Sequence, residues 1–296
     1  MAGLVMLGGV SCGFEPMSEP DIEASAAAFA PPSGCPALPA GTDRDTADAI
    51  EEVNRVRRTV GLGCIGMSAS INEAARRHCE YYVNNSGKCT AKPHREVPEC
   101  RNFTAETFSD RLGMMSYKGH PRFEVMAYVG HGRTSVGQWL DSVWHRIPIV
   151  SPDVDEAGYG KSGRCDTMDF GLSTGSSEPK NLVYPFDGQT DVPRSFSGRE
   201  SPEPPAPPEG WPSGYPISLN APGMTVREHT IVVDGGTENV PHIFMAPGDA
   251  RAHDLLVDEF FLYTHRPLAS KTRYRVRLAG EQNGTPIAFE WTFTTR

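Results

Sequence analysis

SVGQWLDSVWHRIPIVSP, residues 135–152, decides how this chain is read. On a helix, Val136, Trp139, Leu140 and Val143 fall at i, i+3, i+4 and i+7 and form one apolar face. Thr134 stands at the N-cap position, and His145 follows the last periodic residue. A histidine leaving a Trp-anchored helix is held by the core while its ring faces a cleft. Upstream, His94 follows a proline in AKPHREVPEC, and Glu124 is the lone acid of the apolar run FEVMAYV. Together these predict a carboxylate-lined cleft with two imidazoles, a donor set suited to Zn²⁺ or another divalent cation with open positions for water.

Working outward, residues 46–60 place Ala49, Ile50, Val53, Val56 and Val60 on a helical stripe. Residues 70–85 predict a second helix, with Ser70 and Glu73 as a capping box and Ile71, Ala74, Ala75, His78 and Tyr82 on its buried face. A short helix is expected over 104–112. Apolar, β-prone chain follows at 122–129, and Gly-punctuated strands at 157–173.

These motifs, in this order, resemble a known family. WLDSVWHRIPIVSP resembles the W-x-x-S-x-x-H-R-x-x-I-x-x-P signature of bacterial CAP domains, the superfamily of cysteine-rich secretory proteins, antigen 5 and pathogenesis-related 1 proteins. INEAARRHCEYY is similar to the family's first-helix pattern. His94 falls at the next family histidine, and FSDRLGMMSY resembles the helix ending in Arg-x-x-x-x-Gly-Tyr, with Ser116 in place of the Gly. Glu124 falls at the family's Gly-Glu-Asn, with Phe123 and Val125 as its neighbours instead. GYGKSG and TMDFG are similar to the two closing strands. The second cleft glutamate of eukaryotic members is Ser142 here. The resemblance covers roughly residues 44–175 and implies an α-β-α sandwich with a cleft lined by His94, Glu124, Ser142 and His145. It implies cation, lipid, sterol, peptide or cell-wall ligands, which differ between members.

The chain has 296 residues, 38% of them hydrophobic, enough for about two domains. Its net charge is −9 with no massed Lys/Arg and no interleaved aromatics, which argues against nucleic-acid binding. The start, MAGLVMLGGVSCGFEP, resembles the tail of a lipoprotein signal in which Cys12 becomes the lipidated first residue. Setting Cys12 aside leaves an even set, Cys35, Cys64, Cys79, Cys89, Cys100 and Cys165, fitting an oxidising compartment. Cys89–Cys100 is the expected pair, because it closes a short loop around His94. Cys35 is expected to bridge to a distant partner; the remainder pair or stay as buried thiols.

The expected organisation is a signal remnant at 1–12, a Pro/Ala-rich tether at 13–43, the CAP-type domain at 44–180, a Pro-rich linker at 181–212 and an all-β Ig-like sandwich at 213–296. The linker carries RESPEPPAPPEGWPSGYP, whose prolines favour a stiff polyproline spacer. The last segment reads as successive strands, with Phe289, Trp291 and Phe293 on one face and Asn283-Gly284 as a hairpin turn. The fold class is α+β.

The expected function is an exported, lipid-anchored protein, at the outer membrane or secreted. Its cleft binds a divalent metal through His94 and His145, a small lipid or peptide ligand, or both. One alternative is a metal-dependent hydrolase in which Glu124 acts as general base with His94 and His145. Another is a structural or adhesion protein with a vestigial cleft. Glu124 could orient a histidine or a metal-bound water, or make only a structural hydrogen bond. His78 reads as a satisfied core histidine. Ser142 lacks a nucleophile elbow or a third partner, which argues against serine-hydrolase chemistry.

Overall fold

The computed structural model describes residues 34–296. Cys12, the remnant at 1–12 and residues 13–33 of the tether lie outside the described residues.

The first half is a four-stranded sheet covered by helices on both faces. Its strands are β1 (Gly66–Met67), β2 (His120–Ala127), β3 (Glu156–Ser162) and β4 (Cys165–Leu172), in the order β1-β3-β4-β2. β2 and β4 are antiparallel with Glu124 opposite Asp169 and Met126 opposite Thr167. Side chains alternate across the sheet. Val125, Ala127, Ala157, Tyr159, Met168 and Phe170 face one way, onto α1 (Arg44–Thr59) and α4 (Gly132–Leu140), in one apolar cluster. The other face meets α2 (Ala69–Val83) and α3 (Phe108–Met114). Asp43 caps α1 by accepting from the Thr46 N–H. The buried Arg57 ties the end of α1 to the carbonyls of Gly63, Ile149, Ser151 and Val154. Ser70 and Glu73 do not form the expected capping box. α2 begins one residue earlier, after Ser68, and Glu73 instead binds Arg76 and Arg77, charged donors that outcompete a peptide N–H.

The G-Y-G of β3 sets how closely α2 approaches. A Cβ on Gly158 would collide with the backbone of Asn72, and one on Gly160 with the backbone of Arg76. Gly160→Ala is therefore expected to cost about 3 kcal/mol, because neither backbone can yield. Thermal denaturation measures it, and an unchanged Tm would disprove the close approach.

The second half is a β-sandwich. Its strands are β5 (Leu182–Tyr184), β6 (Gln189–Val192), β7 (Ser195–Phe196), β8 (Ser213–Gly214), β9 (Ile217–Asn220), β10 (Met224–Val233), β11 (His242–Met245), β12 (Glu259–Thr264), β13 (Arg273–Gln282) and β14 (Thr285–Thr295). One sheet runs β10-β13-β14-β6 and the other β11-β12-β9-β5. β13 and β14 close through Asn283 and Gly284, both at positive φ, as the hairpin signal requires. Phe260 and Leu262 meet Val276, Leu278, Trp291 and Phe293 in the sandwich core. On the opposite face of β12, Phe261 and Tyr263 join Val143, Trp144 and Ile147 of the first half. One sheet is thus buried on both faces, and the two halves share continuous packing. This also explains why EFFLYT is buried almost throughout, whereas β13 alternates.

Residues 181–212, expected as a linker, contribute β5 and β6 to these sheets and β7 to a separate two-stranded sheet with β8. The Pro-rich stretch packs between the halves: Trp144 donates its indole N–H to the carbonyl of Pro202 at 2.8 Å, and Tyr263 donates to the carbonyl of Pro205 at 2.6 Å.

The helix expected across 135–145 is also corrected. α4 ends at Leu140, and a turn precedes the short α5 (Arg146–Val150). Val136, Trp139 and Leu140 keep their shared face, but Val143 turns to the second cluster. The cause is external. The peptide N–H groups of Val143 and His145, which a continuing helix would direct to its own carbonyls, donate instead to the carboxylate of Glu200.

All six cysteines of the described residues are paired, including Cys79 and Cys165, for which the sequence left pairing or free thiols open. Cys89 pairs with Cys100, Cys35 reaches Cys64, and Cys79 reaches Cys165. The last closes 86 residues of sequence, restricting the unfolded chain most.

Candidate functional site

His94, Ser142 and His145 border one open cavity of about 500 Å³, together with Trp139, Arg164 and Glu200. Three elements deliver them. His94 stands in the loop closed by Cys89–Cys100. Ser142 and His145 occupy the turn between α4 and α5, beneath which Trp139 anchors its indole N–H on the Met126 carbonyl at 3.0 Å. Glu200 arrives from the second half.

Each cleft imidazole rests on a buried carboxylate. His94 Nδ1 lies 2.9 Å from Glu124 Oε1, and His145 Nδ1 lies 2.6 Å from Glu200 Oε1. Neither Nε2 makes a hydrogen bond to any described residue. A carboxylate that accepts from Nδ1 fixes the tautomer and leaves the Nε2 lone pair outward. The Ser142 hydroxyl donates to the Trp139 carbonyl at 2.8 Å, so it is engaged in the turn.

Glu124 does not line the cavity. Its side chain is 2% exposed and sits beneath His94, where Arg111, itself fully buried, donates to its second oxygen. Burial pushes the Glu124 carboxyl up, but the Arg111 guanidinium, with His78 and His94, outweighs it and holds the group well below the usual carboxylate range. His78 is fully buried and satisfied: Nε2 donates to the Pro93 carbonyl at 2.9 Å, and Nδ1 faces Glu96 at 2.9 Å. It therefore braces the His94 loop from below.

Across the sheet from Glu124 lies Asp169, whose two oxygens find no donor among the described residues. Burial, and the Glu124 charge beside it, push its carboxyl well above the ordinary range, against the pull of Arg111. Burial and the neighbouring Glu124 charge thus both disfavour a charge on Asp169. A carboxyl raised by folding favours the folded state below its unfolded pKa. That contribution is lost as pH rises through the window up to the raised folded value. Asp169→Asn keeps a neutral donor there without the titration. Its Tm is therefore expected to exceed wild type at pH 7 and to converge with it at pH 4. An identical pH dependence in both proteins would disprove the upward shift of the Asp169 carboxyl.

No protein-family model and no curated protein matches the sequence. Solved structures are similar over less than half of the chain. One is an extracellular protein containing an SCP domain from Bacillus anthracis, at 18% identity and TM-score 0.38; the match covers 43% of this chain, which spans only 40% of that protein's length. Another is an outer surface protein from Borrelia burgdorferi, at 16% identity and TM-score 0.33, covering 45% of this chain and 97% of that one.

Sequence reasoning missed Glu200. Its side chain is fully buried and accepts from the Val143 N–H at 2.9 Å, the His145 N–H at 2.8 Å and His145 Nδ1. It lies within a stretch whose prolines read as a spacer, so no local pattern singles it out. The signal that could have found it was on the other side: Val143 and Trp144 are too apolar for a solvent-facing turn. Glu200→Gln keeps the shape and loses the charge. It is expected to weaken a divalent cation bound through His145 by about tenfold, the scale of orienting-partner losses. Affinity equal to wild type would remove Glu200 from the site.

The donor set fits a divalent cation of the zinc type in kind, since imidazole Nε2 atoms braced at Nδ1 are ordinary ligands. Among the described residues no group of three or more His, Cys, Asp or Glu is arranged to hold a metal. An ion at His94 and His145 would therefore complete its shell with water. No helix among the described residues is long and apolar enough to cross a membrane.

Proposed function

We infer that this chain is an exported, CAP-like binding protein whose two-histidine cleft takes a divalent cation, a small ligand or both. The observation that carries this reading is the paired arrangement of His94 on Glu124 and His145 on Glu200, with neither Nε2 bonded to any described residue, beside one cavity. Three cysteine pairs support an oxidising compartment, and the leader around Cys12 supports lipid anchoring. The sandwich serves as the outer or spacing unit and, through Glu200, as part of the cleft.

A bound cation would supply Lewis acidity and a polarised water. The chain's own residues favour retention over turnover. Glu124, the general base of the hydrolase alternative, is committed to Arg111 and His94 and does not reach the cavity. Ser142 is committed to its own turn.

The test is ¹⁵N NMR of the histidine side chains during addition of Zn²⁺. The Nε2 resonances of His94 and His145 are expected to move together while that of His78 stays fixed. Movement of other histidines with these two unmoved would reject the reading.

A further inference from the structure

The carboxylates at and beneath the cleft are committed, whereas its basic and donor groups have free capacity among the described residues. Both Glu200 oxygens accept hydrogen bonds from the turn, and Glu124 is covered by Arg111 and His94. The Arg199 guanidinium, the Gln138 amide and the Ser201 hydroxyl also border the cavity. Their side-chain polar atoms have no hydrogen-bond or ion-pair partner among the described residues. Arg164 borders it too and engages only Nε, on the Tyr128 carbonyl at 3.3 Å. In a chain of net charge −9, this cavity holds two guanidiniums without an ion-pair partner and no free carboxylate oxygen among the described residues. Low-dielectric walls focus such a field, so anions concentrate there against the charge of the whole molecule. Guanidinium forks match the oxygens of a tetrahedral oxyanion. The remaining wall is apolar, formed by Pro93, Met126, Val129 and Trp139.

We propose that the cleft binds a phosphate-type oxyanion through Arg164 and Arg199, with any apolar substituent lying on the Met126–Val129–Trp139 wall. This rests on reading the cavity as a binding site, but not on a metal. The test is an NMR titration of the full chain in chelator, following the arginine Nε and Gln138 side-chain resonances. The probes are inorganic phosphate and dihexanoyl phosphatidate. Saturable shifts are expected for both. Arg199→Gln and Arg164→Gln should each weaken binding about tenfold, the size of one lost charge-assisted contact. Arg44→Gln, outside the cavity, should leave it unchanged. Tighter binding of the phosphatidate assigns the oxyanion to a lipid headgroup; equal binding assigns it to a free phosphate. Absence of saturable shifts, or binding that both arginine variants leave intact, overturns the proposal. If the Zn²⁺ response of His94 and His145 persists alongside such a failure, only the oxyanion is refuted and the cleft reading stands.

Discussion

Arg111→Met is expected to destabilise the protein by about 4 kcal/mol, the scale of leaving a buried charge without its partner. Arg111 is fully buried and supports Glu124 from below while approaching Glu96 at 3.8 Å. Without it, Glu124 keeps only histidine partners, Glu96 keeps His78 and the Thr104 N–H, and Asp169 has no donor among the described residues. Burial then dominates Glu124 and drives it toward the protonated form. The loss should propagate to the cleft, because His94 is held by Glu124 through Nδ1. Arg111→Met/Glu124→Gln removes both charges and is expected to recover part of the stability without restoring the His94 tautomer. Denaturant unfolding of the two singles and the double gives the coupling. Strict additivity would show that the ion pair contributes nothing.

The second large effect is expected at Arg146. This side chain is fully buried at the junction of the halves. It donates to the Leu140 carbonyl at 2.7 Å and to the Pro216 carbonyl at 2.6 Å, and its guanidinium lies 4.9 Å from the ring centroids of both Tyr184 and Tyr215. Tyr215 in turn donates to Asp141 at 2.9 Å. Arg146→Met keeps volume and loses the donors and the cation–π contacts, together worth about 3 kcal/mol. Because the contacts span both halves, the variant is also expected to split one unfolding transition into two. Calorimetry of wild type and variant decides this; a single, unshifted transition in the variant would contradict the clamp.

Much of the fold was legible because its signals are local. The 3.6-residue stripe of α1, the alternation of Phe289, Trp291 and Phe293, and the Asn283-Gly284 turn each depend on neighbours in sequence. The helix through His145 was not legible, since its termination after Leu140 is imposed by Glu200, far along the chain. The linker was misread for the same reason: its prolines are compatible with a spacer, and only contact with Trp144 distinguishes a packed wall from one. Within the site, His94, Ser142 and His145 share the cavity that their motif order suggested. Glu124 was singled out as the lone acid of an apolar run, but its surroundings are Arg111, His78 and His94. Its depth could not be read, because that depends on an ion pair with Arg111 of α3, which no local pattern announces.

The measurement that tests the central claim most directly is calorimetric titration of the full chain with Zn²⁺, comparing wild type with the His94→Ala/His145→Ala double variant. The account predicts saturable binding in the wild type that disappears in the double variant while the fold, monitored by its unfolding transition, is retained. Equal binding in both proteins, or none in either, would contradict it.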